Sequence, residues 1–199
     1  MKNTFMEAVK NRRSYYGIGK DVVASDERIE EIVRDAVRYT PSAFNSQSTR
    51  VLILLGEQHN AFWEIAREEL RKVVPAASFA PTAEKINSFA NGYGTILFFE
   101  DTTVVEGLQK QFPLYQEHFP VWSQHTSAMH QLVVWTALEA EGFGASLQHY
   151  APLVDAAVQA KWNVPANWKL IAQMPFGKPT AEPGDKEMNP LEERVKVYK

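Results

Sequence analysis

Two short runs near the start of the chain carry residues able to grip a phosphate. Arg12-Arg13-Ser14-Tyr15-Tyr16 closes the first helical stretch, and Pro41-Ser42-Ala43-Phe44-Asn45-Ser46-Gln47-Ser48 precedes an apolar run. Adjacent guanidiniums beside a hydroxyl offer planar, charge-assisted donors matched to phosphate oxygens. Asn45, Ser46 and Gln47 add neutral donors and acceptors suited to the polar edge of a ring. Alone, the first run also reads as a solvated basic helix end, and the second as a turn that satisfies its own amides. Together they point to a phosphate-bearing cofactor.

Other runs carry weaker chemistry. Gly144-Ala145-Ser146-Leu147-Gln148-His149-Tyr150 is built of small residues that let a flat ring approach the backbone, though it also serves as a helix stop. His149 is of a type that titrates near neutrality, but the sequence offers it no triad. His118, His125 and His130 do not share one helical face and no HExxH pattern is present, so no metal is expected. The aromatic stretch from Phe112 to Trp122, with Tyr115 and Phe119, reads equally as a platform for a flat substrate or as core. Gly17-Ile18-Gly19-Lys20 and Gly92-Tyr93-Gly94 complete neither a dinucleotide fingerprint nor a Walker loop. A nicotinamide coenzyme would therefore visit the open cleft transiently.

Helices and strands must position these residues. Phe5, Ala8 and Val9 predict a short helix through the first dozen residues, with the basic pair at its C-terminal end. Ser25 or Asp26 caps a second helix whose stripe is Ile29, Ile32, Val33, Ala36 and Val37, ending before Thr40-Pro41. Val51–Leu55 and Thr95–Phe99 read as buried central strands, and Arg50 simply leads into the first. Between them lie a helix from Asn60 to Val74 and a loop from Pro75 to Pro81. Ser127 to Glu141 reads as a helix buried on all faces, Leu153–Val158 as part of a short helix, and Leu170–Met174 as a third strand ended by Pro175. From Thr180 the chain has little to pack besides Val195, Val197 and Tyr198, so this extended tail needs a partner. Strands interleaved with helices predict an α/β or α+β layer structure in a single domain, 1–199.

Composition removes several classes of function. The chain has 199 residues and 21 basic against 24 acidic side chains, so no global positive field gathers nucleic acid. No apolar run reaches the roughly 18 residues of a membrane span, and the opening residues have no secretory pattern; a cytoplasmic protein is expected. Without cysteine, redox chemistry must rest on a cofactor.

Four ordered runs resemble the nitroreductase family of flavoenzymes, in particular its short fatty-acid-repression-mutant-like branch. They are Arg12–Tyr16, Pro41–Arg50, Gly142–Tyr150 and Pro175-Phe176-Gly177-Lys178-Pro179, and the resemblance spans nearly the whole chain. It implies an α+β, three-layer fold with a central, mainly antiparallel sheet flanked by helices, and a homodimer with each flavin at the subunit interface. It further implies FMN as cofactor, NADH or NADPH as co-substrate, and ping-pong reduction of a nitroaromatic or quinone-like acceptor. Arg12, Arg13 and Ser14 would then hold the phosphate and pyrimidine side, and Asn45 and Gln47 the ring or ribityl chain. Lys178, after Gly177, would add a phosphate charge, and the backbone at Gln148 and His149 would lie against the ring. Ser46 and Tyr16 complete the implied cofactor set, with Tyr115 and Phe119 for substrate. Many larger members carry a basic residue where this chain has Tyr16, which bears on the flavin potential and the acceptor. A flavin-binding regulatory or storage protein with little turnover is the alternative.

Overall fold

The computed structural model describes residues 4–199; Met1-Lys2-Asn3, part of the expected first helix, lie outside them. Helix α1 spans Phe5–Asn11 and starts at a capping box, in which Thr4 and Glu7 satisfy each other's backbone N–H groups. Helix α2, Asp26–Tyr39, is capped by the Ser25 hydroxyl and buries Ile29, Ile32, Val33 and Ala36, the stripe its periodicity predicts.

Strand β3, Gly94–Asp101, is buried along its whole length because both of its edges and both of its faces are covered. It pairs antiparallel with β2, Thr49–Leu55, on one side and with β5, Trp168–Pro179, on the other. Two short strands, β1 (Ile18–Gly19) and β4 (Gly144–Ala145), add to β5, also antiparallel. The two-residue period of β3 then divides the core. Ile96 and Phe98 pack with α2 and with Val134 and Leu138 of α6, Phe119–Ala140. Leu97 and Phe99 pack with Phe62, Trp63 and Ala66 of α3, Gly56–Val73, and with α4, Phe79–Ala90, and α7, Asp155–Trp162. The fold is α+β: an open antiparallel sheet between two helical layers.

Several elements depart from expectation for definite reasons. The segment read as a loop to Pro81 instead starts α4, because proline within a first helical turn forfeits no intrahelical bond. Helix α5, Thr102–Gln111, lacks a buried stripe and so left no periodic signal; Asp101 caps it. Helix α6 begins at Phe119, eight residues before the expected Ser127, with Pro120 in its first turn. It is not buried all round, since Met129, Leu132 and Val133 are exposed. Strand β5 runs through Pro175 to Pro179. Pro175 turns its carbonyl away from β3, toward the N–H of Ser146, so its missing N–H costs the β3–β5 ladder nothing.

His59, inside the α3 layer, gives a testable pH dependence. Its Nδ1 lies 2.8 Å from the Thr95 hydroxyl and its Nε2 3.2 Å from the Ala90 carbonyl, while Trp63 donates to the same Thr95 oxygen. A neutral ring satisfies both contacts, and burial lowers the imidazole pKa to about 4 from its usual 6.5. Between these values the unfolded chain binds the proton and the folded chain does not, so stability falls as pH drops through that window. Unfolding in urea should show this residue contributing a loss of about 2 kcal/mol between pH 7 and pH 5. The loss should be smaller by that amount in His59→Gln; an unchanged loss would show that folding does not lower the imidazole pKa.

Candidate functional site

Three of the four motif runs meet across β4 and β5. Ser14 forms a parallel bridge with Ala145, and the Tyr15 N–H donates to the Ala145 carbonyl at 3.0 Å. Gly144 pairs with Gly177, and Lys178 pairs with Gly19. A Cβ on Gly144 would lie 2.7 Å from the Tyr15 side chain, so this approach requires glycine.

Arg12, the C-cap of α1, places its guanidinium 4.3 Å from the centroid of the Trp135 ring on α6. Arg13 turns instead to the tail and donates to the Gly184 carbonyl. The tail therefore packs on its own chain at its start, where the Thr180 N–H also donates to Gly17. Lys178 reaches Asp21 at 3.1 Å, an exposed pair of small energetic weight that a stronger anion would displace. Tyr16 points toward the α4 layer, its ring 6.3 Å from that of Phe89.

Gln148 is held in the sheet. Its N–H and carbonyl both bond to Gln173, at 2.7 and 2.9 Å, and its side chain donates to Ser146. That backbone N–H is thus committed to the sheet. By strand alternation the N–H groups of Leu147 and His149 face away from β5 and are the ones a ligand could meet. The His149 side chain is exposed.

The run Pro41–Ser48 is a strained turn. Phe44, Asn45 and Gln47 have φ of 56°, 50° and 50°, a left-handed conformation that asparagine accepts readily and phenylalanine does not. The Ser42 hydroxyl and carbonyl hold it by accepting from Gln47 and Asn45, each at 3.0 Å. Asn45 and Gln47 are exposed and line a cleft of about 270 Å3 with Arg38, Thr40, Arg50 and His130. The Thr40 hydroxyl in this cleft is buried without a partner. Ser46 faces the other way, toward Phe119 and Trp122.

Arg50 does more than lead into β2. It donates to the Gln47 carbonyl at 2.7 Å and to the Thr49 carbonyl at 3.1 Å, and pairs with Asp101 at 3.0 Å. Burial would raise the Asp101 pKa, but hydrogen bonds from Thr103 and Asn167 and the Arg50 charge hold it below its usual value. Glu100 is buried, which raises its pKa, and it accepts from Ser48 at 2.5 Å and Thr49 at 2.6 Å. These anchors escaped the motif reading, although two adjacent acids ending an apolar strand were a visible signal.

The aromatic stretch divides into core and surface. Phe44 stacks on Trp122, with ring centroids 5.8 Å apart, and also meets Phe112, Tyr115 and Phe119. Phe119 is only 3% exposed, which removes it as a substrate platform in this chain, whereas Tyr115 is 40% and Phe44 50% exposed. Phe119→Ala should cost about 3–5 kcal/mol of stability in urea unfolding. Tyr115→Ala should cost far less and change the acceptor kcat/KM more than the melting temperature; the reverse pattern would make Tyr115 core.

One chain does not bring the two halves together. Arg12 rests on Trp135, while Phe44 rests on Trp122 and Thr49 lies 3.4 Å from His130. Trp122 and Trp135 are separated by a helical rise of about 20 Å, and His130 and Trp135 point about 140° apart.

Comparison with known proteins places this geometry. The nitroreductase family profile matches residues 9–178. The Saccharomyces cerevisiae nitroreductase FRM2 is 35% identical over 185 residues, covering 92% of this chain and 91% of the relative. The Lactococcus lactis nitroreductase CinD, solved with chloramphenicol, is 44% identical with a TM-score of 0.91, covering 98% of this chain and all of that one. A Desulfitobacterium hafniense nitroreductase with bound FMN shares the fold at a TM-score of 0.72 and 14% identity, with both chains fully covered. Motifs, sheet order and relatives agree: the chain belongs to the nitroreductase family, in the short branch of yeast FRM2.

Proposed function

We propose that this protein is an FMN-dependent NAD(P)H oxidoreductase that reduces nitroaromatic or quinone-like acceptors by a ping-pong mechanism, as a homodimer of single-domain subunits. The observation that carries the reading is the convergence of Ser14, Ala145 and Gly177-Lys178 across β4 and β5, beside Arg12. The donor set fits the cofactor. Arg12, Ser14 and Lys178 suit a phosphate, and the exposed amides of Asn45 and Gln47 suit the mixed donor and acceptor edge of the ring.

FMN, held by Arg12, Ser14 and Lys178, would supply the two-electron redox chemistry between a nicotinamide and the acceptor. The protein's part is binding, orientation and access. Arg12 and Lys178 fix the phosphate end, and the N–H groups of Leu147 and His149 are presented from β5's outer side. Phe44 and Tyr115 offer an exposed aromatic surface next to Asn45 on which a flat acceptor can stack. CinD has been solved with 4-nitrophenol as well as chloramphenicol, both small aromatics.

A second copy would complete the site. The separation of the two halves along α6, the exposed Met129, Leu132 and Val133, and the exposed Leu191, Val195, Val197 and Tyr198 of the tail all favour it. Edge strand β2 is flanked by an open groove of about 1030 Å3 with apolar residues Val51 and Ile53 along it, a surface suited to such a tail.

Initial rates of nicotinamide oxidation across varied acceptor concentrations test the mechanism. Parallel double-reciprocal lines are expected. Intersecting lines would exclude ping-pong, and flavin-loaded protein with no acceptor-dependent rate would favour the storage alternative.

A further inference from the structure

The turn that presents Asn45 and Gln47 has no covalent brace and no glycine, yet three of its residues occupy left-handed backbone. Such a conformation persists only when its surroundings over-determine it. What surrounds it is the end of β3. Glu100 and Asp101 are consecutive and point to opposite faces, so each grips a different part of the incoming chain. Glu100, 2% exposed, takes the hydroxyls of Ser48 and Thr49, one on each carboxylate oxygen. Asp101 acts through Arg50: one nitrogen of the fork meets Asp101, and the other donates to the carbonyls of Gln47 and Thr49.

Asp101 is itself immobilised. It accepts from the Thr103 N–H at 3.1 Å, the Thr103 hydroxyl at 2.6 Å and the Asn167 amide at 2.7 Å. The fork is therefore anchored to the start of α5 and to the loop before β5, elements distant in sequence from the turn. A guanidinium suits this task because its planar fork meets a carboxylate and a carbonyl at once; an ammonium on a flexible stem does not.

We infer that Arg50, locked on Asp101, is a positioning residue that sets the Gln47 backbone and thereby aims the Gln47 side chain into the cleft. The inference rests on the reading of that cleft as a cofactor site. Arg50 also borders the cleft, but in this role its two terminal nitrogens stay on Asp101 and the Gln47 and Thr49 carbonyls. Its effect on binding must pass through the turn.

The test is a double-mutant cycle on FMN affinity, using Arg50→Lys and Gln47→Ala in the full-length protein, freed of flavin and titrated with FMN by fluorescence. Gln47→Ala should weaken binding about tenfold, the effect of one lost hydrogen bond in a closed site. Arg50→Lys, which keeps the charge but not the fork, should weaken it about as much. The double variant should bind within about threefold of the weaker single variant, because a mis-set turn has nothing further to lose once the Gln47 amide is gone. Asp101→Asn should reproduce Arg50→Lys, and melting temperatures establish that each variant is folded.

If Gln47→Ala weakens FMN while Arg50→Lys binds within twofold of the parent, the positioning role is overturned and the cofactor reading stands. Full multiplication of the two single effects also overturns it, since Arg50 would then act independently of Gln47. If Gln47→Ala and Asn45→Ala both bind FMN like the parent, the cofactor reading of the turn fails and the inference fails with it.

Discussion

Arg12→Ala should weaken FMN binding by tenfold to about a hundredfold, the largest single-residue loss on the phosphate side of the site. A charge-assisted hydrogen bond to phosphate contributes about 1.5–3 kcal/mol, and nothing else in the Arg12–Ser14 run replaces it because Arg13 is turned to the Gly184 carbonyl. The substitution also removes the stack on Trp135, so Arg12→Lys is the informative companion. Lysine keeps the charge and should recover part of the affinity. Lys10→Ala, in the last turn of α1, controls for net charge. Titration of the apoproteins with FMN reads all of these; parent-like affinity for Arg12→Ala would remove the residue from the phosphate site.

The second large effect concerns assembly. Replacing Leu132 and Val133 of α6 together with aspartate should turn a dimer into a monomer and strip it of flavin. Both side chains are exposed in one chain, so the folded subunit tolerates the charges, whereas an apolar interface would have to desolvate them at a cost of several kcal/mol. A stable obligate interface of this kind buries more than about 2,000 Å2. Light scattering and the flavin absorbance of the same sample read mass and occupancy together. Loss of both is expected. A variant that keeps dimeric mass and full flavin would place the interface elsewhere, and a parent protein that is monomeric with flavin bound would end the two-copy site.

The apolar code of the sheet was legible in the sequence, and its punctuation was not. Thr95–Phe99 is a continuous apolar run and lies in the fully buried central strand β3; Val51–Leu55, expected to be central as well, pairs with it as the half-buried edge strand β2, because a run of apolar residues does not reveal whether a second neighbour covers its other flank. The stripe of α2 and its Ser25 cap are equally local signals. Pro175 misleads because proline's effect on a strand depends on which neighbour its missing N–H would have faced, a tertiary property. Met129, Leu132 and Val133 of α6 look like core because an apolar side chain reads the same in the sequence whether it faces the interior or the surface.

At the candidate site, residue types were legible and geometry was not. Ser14 bridges Ala145 beside β5, which carries Gly177 and Lys178, and Arg12 caps α1 two residues before Ser14. Ser46 and Gln148 carry the right chemistry but turn inward, toward aromatic packing and toward Ser146. Nothing in Ala43-Phe44-Asn45 announces a left-handed phenylalanine. The clamp formed by Glu100, Asp101 and Arg50 joins residues about fifty positions apart, and no local pattern encodes that pairing.

Flavin bound here is expected to shuttle electrons from a nicotinamide to a flat acceptor. The most direct test is the visible spectrum of the purified protein under anaerobic conditions, recorded as NADH or NADPH and then 4-nitrophenol or a quinone are added. Flavin bands are expected as isolated, bleached by at least one nicotinamide and restored on addition of acceptor. A colourless protein that takes up no FMN, or a flavin that neither nicotinamide bleaches, would contradict it.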